Sequence, residues 1–589
     1  MKTEKRTKEE RLCFFRELYD SARLANGDLL LSMERNMKQY LGSRELDGTT
    51  EEATTVRNIT YEIVESQVSS DIPRPKADPA FYTEGRVRCA EAIERLCCSM
   101  RERLPFEELN DRDERYTYIY GGSVWYVDWD STLEHSGEVG GIVIRCLSPR
   151  DFVGQPGISS VEDMEYCFLR FVTTRGELAR RYGVPEEELY LAECEYEYAT
   201  PMPDGDAVTT TVCFYRDEEG EIGRYVFSGE LVLSDLERYY GRKRTVCTAC
   251  GREGGECECH APTEAIDEYC EELTHDVTVG GHRLPAAIPR ITEDGVSYER
   301  VRLPYYVPKL IPIVIRKNTT TEEGLLGGSD CEYIRPEQQA INKIESRILQ
   351  KLLRAGITPI VPEDARVTLN NQVFGQVIRM KPGESAAQYG KVDTTPDITQ
   401  DILEAERLYD HAKRIIGISD AYQGISGSAS ESGLAKQITI SQATGRLESK
   451  RRMKHTAYAA IDRIIFALHL AFADEPRCLT YRDGLGKVHT EHFCRYDFLE
   501  YDAHTGEYRY DDDYVFSVDL GGGVEYQREA LWQRNLENLR SGSLGDPASP
   551  ATLLRYWQCQ ERSHYPYARE NVEYFTELVG AEGVTSYEA

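Results

Sequence analysis

From Leu434 to Ala473 the chain runs forty residues without a proline, so one unbroken helix is expected there. Gly445 lies inside it at a cost of roughly 1 kcal/mol relative to alanine, which marks an expected bend. Arg446–His455 is polar nearly all round, whereas Ile461, Ile464, Ile465, Leu468 and Phe472 make an apolar face. A helix polar in its middle and apolar at its end bridges regions instead of lying on one core. What precedes it is equally regular. Pro336 opens a helical pattern of about five turns with a stripe of Ile341, Ile344, Ile348, Leu352 and Leu353, ended by Gly356 and Pro359. A second pattern starts at Pro396-Asp397, where Ile398, Ile402, Ala405, Tyr409, Ala412 and Ile416 form a narrow seam suited to helix-against-helix packing. Residues 357–395 between them alternate like strands. After the second helix, 419–433 is a Gly/Ser-rich loop with few bulky side chains. Two matched rods with a small β tip, then a pliant loop, then a long helix: the pattern describes a spoke.

The rest reads as α+β. Helical periodicity covers 8–40, about 54–70 and about 84–104, the second ending at Asp71-Ile72-Pro73-Arg74-Pro75. Short strands are expected at Tyr116–Ile119, Val124–Val127 and Gly141–Leu147, with turns at Gly121-Gly122 and His135-Ser136-Gly137. A helix near 174–182 precedes a β-rich block at about 188–234. Pro304–Ile315 looks extended and leads to a loop at Gly324–Ser329. Residues 478–520 return to strands, with hairpin turns at Asp483-Gly484 and Thr505-Gly506, and about 524–580 holds two or three helices.

A chain of 589 residues exceeds one hydrophobic core, so several domains are expected. The charged opening MKTEKRTKEER has no apolar core of a secretory signal, and no window approaches a membrane span. Seventeen cysteines, an odd number, read as reduced thiols. The balance of 101 acidic against 70 basic residues, a net charge of −31, argues against tight non-specific DNA binding by the surface. An acidic wall that lets DNA pass without sticking is compatible with it.

One segment carries specific chemistry. Cys247 and Cys250, followed across a Gly-rich turn by Cys257, Cys259 and His260, match a small zinc knuckle. The second pair is either Cys257 with Cys259 or Cys257 with His260, with four thiolates favoured. Five candidate ligands for four positions leave no open site, so structural Zn2+ is expected, stabilising an insertion (241–265) too short to own a core.

Other signals weigh less. Lys450, Arg451, Arg452 and Lys454 are candidate phosphate contacts, although a solvated helix face pairing with acidic neighbours in a next subunit is favoured. His489 and His492 stand three apart on an expected strand and so face opposite sides. Asp511-Asp512-Asp513 reads as a hairpin rim. Asp128 and Asp130 share a strand face but would need a cleft for acid–base work. No GxxxxGK[ST] is found, which argues against a translocating ATPase, and neither GxSxG nor HExxH occurs.

The order of segments resembles the portal family of tailed double-stranded DNA phages. The likeness is carried by Arg57-Asn58-Ile59 through Val64-Glu65-Ser66, by Leu147-Ser-Pro-Arg-Asp-Phe152, by Asp163 and Tyr166–Arg170, and by Ile341–Ser346. Most of all it is carried by Ile416-Gly-Ile-Ser419, Gly424 and Ser432-Gly433 leading into the long helix. It extends over roughly residues 10–580. The resemblance implies a wing at 1–334, stem helices at 335–355 and 397–418, a clip at 356–396 and a tunnel loop at 419–433. The long bent helix with returning wing strands would span 434–520, and a helical crown 521–589. In that loop Ser419, Asp420, Tyr422, Gln423, Ser426, Ser428, Ser430 and Glu431 would face passing DNA; it has no Lys or Arg. The resemblance further implies a homo-oligomeric ring, typically a dodecamer, at a capsid vertex of the virion, assembled in the host cytoplasm. Its implied partners are double-stranded DNA in packaging and ejection, the terminase large subunit, major capsid and scaffolding proteins, and the head–tail adaptor, with no membrane. The competing reading is a zinc-dependent enzyme or adaptor acting on nucleic acid.

Overall fold

A computed structural model describes residues 7–43, 55–135, 137–194, 206–247, 263–273, 276–279, 282–292, 295–322, 324–353, 357–360, 390–393, 396–418, 433–482, 488–502, 507–519 and 524–562, with short pieces to 579. Helix and strand are mixed throughout, the α+β class expected.

The first two helices, α1 (Lys8–Ala25) and α2 (Gly27–Tyr40), divide at Asn26. Thr7 and Glu10 close a capping box at the start of α1, satisfying two backbone donors reciprocally. The inner face of α1 sends Phe15 and Tyr19 onto Phe168, Tyr225 and Phe227, and the Phe15 ring stacks on Tyr225 at 4.3 Å. Helix α3 (Ile59–Glu65) is shorter than the expected 54–70. Asn58 accepts from the Tyr61 N–H and fixes its start, while Ile63 and Val64 fill its buried face. Helix α4 (Glu84–Arg103) follows Thr83, which caps it through the Arg86 N–H.

Helix α5 (Phe106–Tyr120) corrects the sequence reading: Tyr116–Ile119 is its last turn, not a strand. Gly121 ends it at φ +87°, where a Cβ would lie 2.1 Å from the Gly327 carbonyl oxygen. The Gly121 carbonyl in turn accepts from the Asn318 and Gly327 N–H groups.

Two antiparallel sheets follow. Gly122–His135 lies between Glu138–Leu147 and Ile313–Lys317, so the segment Pro304–Ile315 becomes a strand only at its end. The second sheet orders Phe152–Gly154, Tyr166–Thr174, Ala207–Arg216, Ile222–Ser228 and Leu231–Leu236. Helix α6 (Arg175–Tyr182) stands beside it. The strands Arg242–Cys247 and Thr263–Glu268 pair with Cys247 opposite Thr263, so a hairpin stalk carries the cysteine-rich segment.

After the short α7 (Asp330–Tyr333) come α8 (Arg335–Leu353) and α9 (Thr399–Ile416), close to the expected rods. Between them Ile357–Ile360 pairs antiparallel with Gly390–Asp393; the remainder of the expected β tip lies outside the described residues. Helix α10 (Gly433–Phe472) is continuous over 40 residues, about 60 Å, and runs through Gly445 without interruption. Its last third is buried: Ile461, Ile464, Ile465, Phe466, Leu468 and Leu470 enter the main core beside α4 and the three-stranded sheet. His469 belongs to that packing, edge-on to Trp129 and Phe493, and burial pushes its imidazole down to about 4. The returning strands Arg477–Arg482 with Val488–Phe493 and Leu499–Asp502 with Glu507–Tyr510 form the two expected hairpins. Tyr514–Asp519 pairs far back with Arg74–Pro79. Helices α11 (Val524–Arg540) and α12 (Pro550–Arg562) pack together near the end.

Candidate functional site

Helices α8 and α9 run antiparallel, and polar side-chain contacts fix both ends. Arg347 and Lys351 near the end of α8 meet Asp401 in the first turn of α9, and Glu337 in the first turn of α8 lies 3.0 Å from His411 near the end of α9. The base of the pair is a small separate core of Ile59, Ile63, Ile334, Ile341, Ala412, Ile416 and Ile418. Arg57 ties α3 to both rods, 2.9 Å from Glu406 and 3.7 Å from Glu345. Gly417, at φ +90°, stops α9 and turns the chain toward 419.

Away from that base the rods keep apolar side chains in solvent. Leu353 is 68% exposed, Leu403 58% and Leu352 49%, with Ile402 and Ile415 also exposed. Leu352, Leu353 and Ile402, expected in the packing stripes, therefore face outward in one copy of the chain. Large apolar side chains left in solvent on paired helices are the kind of surface that association covers.

The long helix is locked to the body by a buried ionic network that sequence reasoning missed. Arg316 Nη1 donates to Asp113 Oδ2 at 2.5 Å and to Glu114 Oε1 at 2.8 Å. Trp125 Nε1 donates to Asp113 Oδ1 at 2.9 Å, and the Ser123 hydroxyl donates to the same oxygen. From α10, Lys454 approaches Glu114 at 3.0 Å and donates to the Asp71 carbonyl at 2.6 Å. One turn earlier, Lys450 lies 2.6 Å from Asp330, which also accepts from Asn318 and Gln67. Three acids face three bases, so the charge of the cluster is balanced. Burial opposes ionisation of Glu114, but the charges of Arg316 and Lys454 outweigh it and hold its carboxyl below the usual carboxylate range.

The basic run is thus divided. Lys450 and Lys454, four apart on one face, point into the chain's own acids; they are not presented to phosphate, and their acidic partners belong to the same chain instead of a neighbour. Arg452 pairs at 3.5 Å with Glu448 on the exposed face, and Arg451 stands half-buried. The signal for the network was available in two places: the i, i+4 spacing of the lysines, and a lone Arg316 in the apolar strand Ile313–Lys317.

The other candidates fall as follows. Cys247 ends the hairpin stalk; Cys250, Cys257, Cys259 and His260 lie outside the described residues, as do Ser419, Asp420, Tyr422, Gln423, Ser426, Ser428, Ser430 and Glu431. Among the described residues no group of three His, Cys, Asp or Glu is placed to hold a metal, and no cysteine is in a disulfide. His489 and His492 stand on one strand, opposite Tyr481 and Cys478. Asp511 is buried beside Arg86 at 3.2 Å, and Asp512 accepts from the Tyr306 hydroxyl. Asp128 and Asp130 do line a cleft, between the two sheets and α6. Among the described residues no helix is long and apolar enough to cross a membrane. No protein-family model matches the chain, and no curated protein matches it.

Proposed function

We propose that this chain is one subunit of a portal-type ring, a non-enzymatic conduit for double-stranded DNA at a capsid vertex of a phage. The observation that supports it most is the succession of elements: two charge-clamped antiparallel rods with a strand pair at the tip, then residues 419–432, then a 40-residue helix locked to the body. A ring closes only if every subunit repeats the same rotation, and rigid rods hold that angle constant. The exposed Leu352, Leu353, Ile402 and Leu403 give such rods an apolar surface for the next copy. An acidic chain lets a duplex slide, because it does not trade counterions for phosphate contacts at each step. In this reading the wing is 1–334, the stem 335–355 and 397–418, the clip 356–396, the tunnel loop 419–433 and the crown 521–589. The ring docks the terminase large subunit, capsid and scaffolding proteins, and the head–tail adaptor in turn. Electron micrographs of the purified protein test it: rings of about a dozen copies are expected, and isolated monomers or dimers with metal-dependent turnover would instead favour a nucleic-acid enzyme.

The same reading places a structural zinc on the hairpin stalk, in the thiolates of Cys247, Cys250, Cys257 and Cys259, with His260 as the alternative fourth ligand. Its support is the pairing of Cys247 with Thr263, which brings both ends of the 248–262 segment together. About one zinc per chain is expected by elemental analysis of chelator-washed protein, falling by more than tenfold in a Cys247→Ser, Cys250→Ser variant. An unchanged metal content would refute the site.

A further inference from the structure

The cleft between the two sheets has an unusual floor. Asp128, on the three-stranded sheet, is buried and accepts three hydrogen bonds: the Tyr239 hydroxyl and the Trp129 N–H donate to Oδ1, and the Tyr126 hydroxyl donates to Oδ2. Arg224, reaching in from the strand Ile222–Ser228, forms an ion pair with Asp128 through Nη1, 3.7 Å from Oδ2 and beyond hydrogen-bond distance. Its guanidinium lies over the Tyr239 ring at 5.7 Å and donates no side-chain hydrogen bond among the described residues; Nε is buried without an acceptor. A guanidinium has five donors in a rigid fork, and burying them unused is costly. With only 14% of the Arg224 side chain exposed, solvent meets little of that demand. The walls above it are Tyr126, Phe171, Leu178 and Tyr182, and the rim carries Arg145, Arg181, Asp130 and Glu177.

We propose that this cleft is a seat for a single carboxylate, gripped at its floor by the Arg224 fork. The planar, two-oxygen geometry of a carboxylate matches a guanidinium fork whose terminal nitrogens make no hydrogen bond among the described residues. Asp128, Asp130 and Glu177 around the same space repel a dianion such as phosphate more strongly than a singly charged carboxylate. The carboxylate is supplied either by an acidic side chain of a protein segment or by a free small acid. The inference does not rest on the ring reading, since it uses only groups within one chain.

Thermal unfolding of the full-length protein, with acetate replacing chloride at constant ionic strength, tests the seat. The melting temperature should rise with acetate, and the acetate midpoint should weaken at least tenfold in Arg224→Gln. An Arg145→Ser, Arg181→Ser variant, altered only at the exposed rim, should keep the rise. Equal response to chloride and acetate, a larger response to phosphate than to acetate, or loss in the rim variant alone would overturn the proposal, whether or not Arg224→Gln folds. Anisotropy of a labelled short peptide containing one glutamate, against its glutamine twin, separates the sources. Binding of the glutamate form alone assigns a protein side chain, acetate response without peptide binding assigns a free acid, and equal binding of both peptides overturns carboxylate recognition.

Discussion

Replacing Arg316 by methionine will destabilise the protein by about 3–5 kcal/mol, because it leaves Asp113 and Glu114 buried with one of their two cationic partners gone. The methionine keeps most of the packed volume, so the loss is electrostatic and not a cavity. Asp113 would retain only the Ser123 hydroxyl and the Trp125 N–H, and Glu114 would retain Lys454, the Tyr118 hydroxyl and the Ser69 N–H. A chain of this size need not unfold in one step, so the loss should be read as a lowered first calorimetric transition. Adding Asp113→Asn to the same protein removes the uncompensated charge and should recover part of the loss, the sign expected of directly coupled partners. A single variant within about 1 kcal/mol of the parent would contradict the network's role.

The second large effect concerns assembly. Leu353→Asp with Leu403→Asp should abolish rings while leaving the folded chain intact, since both leucines are more than half exposed in one copy. Burying each leucine against a neighbour contributes about 1.5–3 kcal/mol, and placing a carboxylate there instead carries a desolvation cost of its own. Those terms repeat at every interface, so a modest change per contact becomes loss of closure at micromolar protein. Light scattering should then report the 67.1 kDa chain mass with an unchanged circular dichroism spectrum. Rings persisting in the double variant would remove the rods from the interface.

How far the sequence could be read depended on whether local pattern and tertiary context agreed. The long helix was legible because proline is absent over its whole length and an apolar face recurs near its end. The rods were legible through their stripes, although Leu352, Leu353 and Ile402 face outward, and through the stop read at Gly356 and Pro359. The last turn of α5 was misread because Tyr116, Tyr118 and Tyr120 alternate like a strand, while polar groups interrupt the face it buries: Asn110, Asp113, Glu114 and Thr117 lie among Phe106, Leu109 and Ile119. A helix that buries acids shows no apolar stripe, and only the distant Arg316 and Lys454 make that burial tolerable. Pairings some 96 to 340 residues apart cannot be matched up from local pattern, which is why the ionic network and the Asp128–Arg224 floor were not foreseen. The zinc ligands and the DNA-facing loop were read from composition and order alone, and of them only Cys247 lies among the described residues.

A reconstruction of the purified protein by electron cryomicroscopy tests the central claim most directly. The account predicts a closed ring whose spokes are Arg335–Leu353 and Thr399–Ile416, with 419–433 lining a hole wide enough for a duplex. Separate globular particles, or a ring whose hole is lined by another segment, would contradict it.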